Sequence, residues 1–208
     1  MDPIIQLLKK NMMAVNILGR VWELLYIEGS SPDIGKKREH FIRLLLEKEF
    51  GLKIISAPSM EREWDLSINI EGKEKKYSIK TTEGMTTVKV AWNGFPSIER
   101  ARKFIFKYPI LYVTGNRVEN EISIFIFDIS DLEELKNEMG DDMWWIPSSS
   151  TNPRGFGINR EAIRWLINKA KKKDNYVSAK YKPLNIANIQ DEYWDNWYNM
   201  LKNLALKD

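Results

Sequence analysis

Between residues 64 and 82 a carboxylate and an ammonium are set to meet. Asp65 stands near the start of an alternating run, WDLSINI (64–70). Ser78 and Lys80 stand two apart on the next run, KKYSIKTT (75–82), so both point to one face of a strand. Glu71, Gly72 and Lys73 make a short turn between the runs, and the whole reads as a hairpin that brings Asp65 and Lys80 together. A carboxylate beside a lysine at a sheet edge can position a divalent metal and an attacking water against a phosphodiester. The lysine would orient that water or stabilise the developing negative charge. Outside bulk solvent, a second carboxylate would help magnesium to bind well. Glu39, on the preceding helix and opposite its apolar stripe, is the preferred second ligand, ahead of Glu63, Glu83 and Glu99.

The elements that must position these groups follow from periodicity. Ile4, Leu7, Leu8, Met12, Val15, Leu18, Val21, Trp22 and Leu25 keep helical spacing, so a helix opens the chain. The polar stretch 29–35 (GSSPDIG) breaks it. The run KKREHFIRLLLEKEF then places Phe41, Leu44, Leu45 and Phe50 on one side, with Gly51 as a natural C-terminal stop. After the hairpin, 88–96 is a looser stretch, and Ser97 starts a helix with Ile98, Ala101, Phe104 and Ile105 facing inward. Strands are expected at 110–114 and 121–129, the second apolar almost throughout, as a central strand covered on both faces would be. Ser130, with Glu133 for a capping box, should cap a helix over 131–139. A Ser-, Pro- and Gly-rich loop spans 147–157, and helices over about 159–173 and 190–206 complete the chain. The expectation is one α/β domain over 1–208 with a mixed central sheet flanked by helices, an N-terminal helical region (about 1–34) and a C-terminal one (about 159–208).

Composition narrows the chemistry. The chain has 208 residues, 43% hydrophobic and 29% charged, which suits a globular protein with a substantial core. Cysteine is absent, which excludes disulfides and cysteine-rich zinc sites, and the single histidine, His40, closes mechanisms that need two or three. Carboxylates and lysines must do any chemistry. No run approaches the roughly 20 apolar residues of a membrane span, and MDPIIQLLKKNMMAV lacks the order of a signal peptide, so the expected location is the cytoplasm. The 32 Lys and Arg against 29 Asp and Glu give a net charge of +3, too small to demand or exclude a nucleic acid, so local distribution decides.

The order Glu39, Asp65, Ser78-Ile79-Lys80 resembles the PD-(D/E)XK nuclease superfamily, type II restriction endonucleases above all. That family pairs a helix glutamate with an aspartate opening one strand and an acidic-x-lysine triplet on the next. Asp65 matches the aspartate, with Trp64 where proline is usual; Lys80 matches the lysine, and Glu39 the helix glutamate. Ser78 departs from the pattern, standing where the family has Asp or Glu, which leaves Glu39 or Glu99 to supply the missing acid. The resemblance covers roughly 36–83 directly. It implies a restriction-endonuclease-like core, magnesium on Asp65 and Glu39, a lining role for Ser78, Lys80 at the water, and double-stranded DNA as substrate. It also implies a homodimer, because a palindromic site is matched by a two-fold protein; the terminal helices are the candidate interface.

Two later features fit that implication. Ser148, Ser149, Ser150, Asn152 and Arg154 put hydroxyl, amide and guanidinium groups in one glycine-containing loop suited to phosphates and base edges. Lys171, Lys172 and Lys173 end a basic run, KAKKK. Simpler roles stand beside these. Taken singly, Asp65 is a solvated strand-start residue, Lys80 an exposed strand lysine and Glu39 a solvated helix charge; their order in one pattern favours the joint reading. The lysine run also suits a helix C-terminus. His40 reads as a surface or groove residue, and Trp144 and Trp145 as a core edge or dimer seam. Tyr193, Trp194, Trp197 and Tyr198 have helical spacing and suit packing on the N-terminal helices. Met12, Met13, Met60 and Met85 read as gap fillers, with one as a wedge between base steps the alternative. A repair nuclease or junction resolvase of the same fold, and a DNA-binding module whose Ser78 records a lost acid, are the rival functions.

Overall fold

Asp2 and Pro3 start the chain as a helix: the Asp2 carboxylate accepts the Ile4 N–H at 2.9 Å, and proline occupies the first helical position. A computed structural model describes residues 1–27, 33–58, 61, 63–70, 72–92, 94–147, 154–184, 192, 195, 196 and 198. Ser148, Ser149, Ser150, Asn152, Met60, Tyr193, Trp194, Trp197 and most of the expected helix over 190–206 lie outside them. The expected single N-terminal helix is two, α1 (Pro3–Lys10) and α2 (Met12–Ile27). Asn11 divides them: its N–H closes α1 on Leu7 and Leu8, while its side chain accepts the Ala14 N–H at 3.2 Å and so caps α2. Helix α3 (Ile34–Phe50) begins inside the segment expected as a turn and ends where Gly51 takes a left-handed φ of 62°.

Six strands form the main sheet, in the order β1 (Ile54–Ser56), β2 (Leu66–Ile70), β3 (Lys73–Glu83), β5 (Ile110–Asn116), β6 (Glu121–Phe127) and β9 (Tyr176–Lys180). Only β3 and β5 run parallel among these neighbours, so the sheet is mixed. A second, three-stranded sheet joins β4 (Val88–Ala91), β8 (Phe156–Ile158) and β7 (Trp144–Trp145). Helix α4 (Ile98–Arg102) starts at Ser97, whose hydroxyl accepts the Arg100 N–H. Helices α5 (Ile129–Met139) and α6 (Arg160–Lys172), with a short 3-10 helix (Gly140–Met143) after α5, complete the described elements.

Helices flank this sheet on both faces. Ile79, Leu111, Val113, Ile122, Ile124 and Ile126 turn towards α1, α2 and α3, whereas Ile110, Tyr112, Phe125 and Phe127 turn towards α5, α6 and the small sheet. Strand β6 supplies both cores on alternate residues, which is why it reads as nearly continuous apolar sequence.

Several expectations are corrected. Helix α5 starts at Ile129 with Asp128 at the cap position, so Ser130 lies inside it and caps nothing. The stretch at 88–96 holds β4, the loop over 147–157 ends in β8, and the C-terminal helical region contains β9. Each is a short strand stabilised by partners distant in sequence, which local periodicity does not report. Ile105 is exposed because α4 has ended before it. Met12, Met13 and Met85 are exposed and fill no gap; Met143 does. Trp144 is a core residue, stacked on Phe106 at 6.1 Å.

Trp22 ties three elements together. It is buried, its indole N–H donates to the Thr82 carbonyl at 3.0 Å, and the Arg38 guanidinium lies 4.7 Å over its ring. Gly115 makes room for it, since a Cβ there would sit 2.4 Å from the Trp22 ring. Gly115→Ala should therefore destabilise the fold by about 1–3 kcal/mol through overpacking, read as a lower urea midpoint with an unchanged m-value.

Candidate active site

Strand β3 changes partner halfway. Its first residues pair antiparallel with β2, and the Asp65 N–H to Tyr77 carbonyl bond at 2.8 Å closes that ladder. From Ser78 onward β3 pairs with β5, beginning with the Ser78 N–H on the Pro109 carbonyl at 3.0 Å. Peptide groups alternate sides along a strand, so the Ile79 N–H points away from β5, into a fork that β2 has left. Asp65 fills the fork. Its Oδ2 accepts the Ile79 N–H at 2.6 Å and the Ser78 hydroxyl at 3.1 Å, and the Lys80 ammonium lies 3.5 Å away. Lys80 Nζ also donates to the Ile79 carbonyl at 2.8 Å. Trp64, buried beneath the Lys76 ammonium at 4.6 Å, anchors the chain just before Asp65.

Glu39 arrives from another layer. Arg38 holds α3 to the sheet through a 2.7 Å ion pair with Glu83 and its contact with Trp22, and the next residue, Glu39, turns into a cleft of about 880 Å³ that Asp65, Ile79 and Lys80 also line. Burial first, and the Asp65 charge second, push the Glu39 carboxyl up to about 7, against the opposing pull of Lys80 and Lys36. The sequence therefore brings Glu39, Asp65, Ser78 and Lys80 to one place. The other acids are engaged elsewhere: Glu83 with Arg38, Glu63 with Lys107 at 2.5 Å, and Glu99 with Ser97 and Arg102.

Among the described residues no group of three or more histidines and carboxylates could hold a metal. What the cleft offers is two carboxylates, one raised by burial and then by the other's charge. That all-oxygen, partly solvated donor set fits magnesium, which keeps several waters and is bound through one or two carboxylates.

The small sheet forms the opposite wall, and sequence reasoning missed it. Lys89, Trp92 and Trp145 line the cleft, with the Lys89 ammonium 5.0 Å and 5.8 Å from the two indole rings. The signal for it in the sequence is the alternation in VKVAW (88–92). Arg154 is exposed beside this wall, next to Gly155, whose N–H donates to Gly94 at 3.0 Å. Of the lysine run, Lys171 and Lys172 are exposed, and Lys173 pairs with the buried Asp131 of α5. These three lie at the end of α6 and outside the residues that line the cleft.

No protein-family model matches the chain, and no curated protein matches it. Among solved structures it is similar to a restriction endonuclease in complex with substrate DNA, at 22% identity and a TM-score of 0.61, over 93% of this chain and 94% of that one. The shared feature is the fold, a mixed central sheet flanked by helices. Among the described residues no helix is long and apolar enough to cross a membrane.

The raised Glu39 carboxyl has a measurable consequence. Between the ordinary value of 4.5 and about 7 the folded chain holds a proton that the unfolded chain has lost. Stability from this group is therefore complete below that window and lost as pH rises through it. Without added metal, Glu39→Gln should melt within error of wild type at acid pH. Above about pH 7.5 it should melt higher by roughly 2–4 °C for each kcal/mol of relieved penalty, by scanning calorimetry.

Proposed function

We propose that this chain is a magnesium-dependent endonuclease of double-stranded DNA, and specifically a type II restriction endonuclease acting as a symmetric homodimer at a short palindromic site. The observation that carries the proposal is the fork, where Asp65 and Glu39 share one cleft with the Lys80 ammonium 3.5 Å from Asp65. The fold it shares with a restriction endonuclease solved with substrate DNA supports it.

Asp65 and Glu39 are the residues that would hold magnesium, which supplies Lewis acidity at the scissile phosphoryl oxygen and lowers the pKa of its water. Asp65 is fixed by the Ile79 N–H and Ser78 hydroxyl, so its carboxylate needs no reorganisation when substrate arrives. Lys80, only 15% exposed, keeps its ammonium between Asp65 and the Ile79 carbonyl, where it can orient the attacking water or balance charge on the phosphorane-like transition state. In the reaction the water oxygen bonds to phosphorus as the bond to the leaving oxygen breaks, and the water's proton is lost as the leaving oxygen gains one. Ser78, expected to line the site, is not among the residues that line the cleft; it holds Asp65 through its hydroxyl, a positioning role that an acid would not perform with the same hydrogen bond. The dimer is proposed through the helical termini; α1 spends its apolar stripe on the core, whereas Met12, Met13 and Tyr26 of α2 remain exposed. Arg154, Lys171 and Lys172 are the proposed DNA contacts outside the cleft; Lys173 is engaged with Asp131.

Purified protein incubated with plasmid DNA and magnesium should yield discrete fragments, and none with a chelator. Asp65→Ala should abolish cleavage while retaining duplex binding in calcium, and Lys80→Ala should slow cleavage by roughly 10²–10³-fold. A magnesium-dependent smear would reject restriction-type specificity, and cutting confined to branched or damaged DNA would favour a repair nuclease or junction resolvase. Binding with no cleavage under any metal would leave a binding module, with Ser78 marking the lost acid.

A further inference from the structure

A second cavity, of about 340 Å³, lies on the other side of the Glu39 and Asp65 pair, and Lys36, Glu39, Asp65 and Ile79 line both spaces. Its walls are Lys36, His40 and Arg43 of α3, with Ser56, Glu61 and Trp64 opposite. Positions 36, 40 and 43 are four and three apart, so these basic side chains occupy one helical face, the face that also presents Glu39. Arg43 is held in place: Nη1 donates to the Ser56 hydroxyl at 2.9 Å, and Nη2 lies 3.2 Å from His40 Nδ1. Neither partner carries negative charge. The Arg43 Nε is buried and makes no hydrogen bond among the described residues.

We propose that this cavity is a phosphate subsite, in which Arg43, with Lys36 and His40, binds the backbone phosphodiester next to the one positioned at Asp65 and Glu39. The proposal rests on the reading of the chain as a DNA nuclease. Four residues of α-helix separate Glu39 from Arg43, a rise of about 6 Å, which is comparable to the spacing of neighbouring phosphates along one strand. A planar guanidinium with its fork already oriented matches a phosphate better than a mobile ammonium does. Because the two cavities meet at the carboxylates, a strand lying along the groove would place one phosphate at the metal ligands and the next among the cations. Arg43 is then a binding and positioning residue that fixes the register of the scissile bond.

The full chain should be titrated with linear duplex DNA in calcium over a range of salt concentrations, as wild type, Arg43→Ala and Arg43→Lys. The expected result for Arg43→Ala is a Kd weakened roughly tenfold and a slope of log K against log salt reduced by about 1. Arg43→Lys should recover the slope and only part of the affinity. Unchanged affinity and slope in folded Arg43→Ala, with wild type still binding, overturns the subsite and leaves the nuclease reading intact. If Arg43→Ala fails to fold, Arg43→Lys and Arg43→Gln decide: a slope retained by lysine and lost by glutamine supports the subsite, and equal slopes overturn it. Wild type that neither binds nor cuts duplex DNA overturns both. Once the cleavage position is mapped, an uncharged methylphosphonate beside the scissile phosphate should weaken wild type but not Arg43→Ala; equal losses in both overturn the assignment.

Discussion

The structure turns on the change of partner by β3 at residues 77 and 78. A strand that leaves one neighbour for another must leave part of its edge unpaired, and an unpaired buried N–H costs free energy comparable to a lost hydrogen bond. Here the Ile79 N–H finds the Asp65 carboxylate at 2.6 Å. One carboxylate thus satisfies the backbone and faces a cleft at the same time. The neighbouring Ile79 carbonyl is met by Lys80 in the same way. The groups with chemical potential are therefore the groups that repair the sheet, and their geometry is set by the ladder instead of by flexible side-chain choice.

The fork also explains how Glu39 can share a site with residues on the opposite face of the sheet. Helix α3 packs on the face that carries Ile79, while Lys80 points to the other, and a closed ladder would keep them apart. With β2 absent beyond Asp65, the helix reaches the open edge. Arg38 sets its height through Glu83 and the Trp22 ring. The result is a strained charge arrangement, with burial and Asp65 both opposing ionisation of Glu39 and Lys80 and Lys36 favouring it. A divalent cation placed between the two carboxylates would relieve that opposition.

Basic residues divide by what already holds them. In the lysine run, Lys169 pairs with Glu134 and Lys173 with Asp131, so those charges help seat α6 on α5. On α3, Arg43 is held by a hydroxyl and an imidazole. Counting lysines in a run therefore overstates the charge available to a partner at α6 and overlooks the cationic face of α3.

Elements whose signal is local were legible in the residues themselves: the β2–β3 hairpin, α3 with its Gly51 stop, the apolar β6, and the pairing of Asp65 with Lys80. The pattern of Glu39, Asp65, Ser78 and Lys80 could be placed in one site because two short alternating runs and one helix carry it. The break at Asn11, the start of α5 and the strands β1, β4, β7, β8 and β9 were not legible in that way. Short strands owe their stability to partners far along the chain, and a cap is chosen by which side chain reaches an orphan N–H in the folded form. Tertiary structure alone decided that Ser78 orients Asp65 by a hydroxyl donor, that burial and the Asp65 charge raise the Glu39 carboxyl, and that Lys89, Trp92 and Trp145 wall the cleft. Sequence determined which groups could act, since types and spacing are local; the long-range pairing of β3 decided which of them share a space, since only the folded sheet can leave an edge open for them to fill.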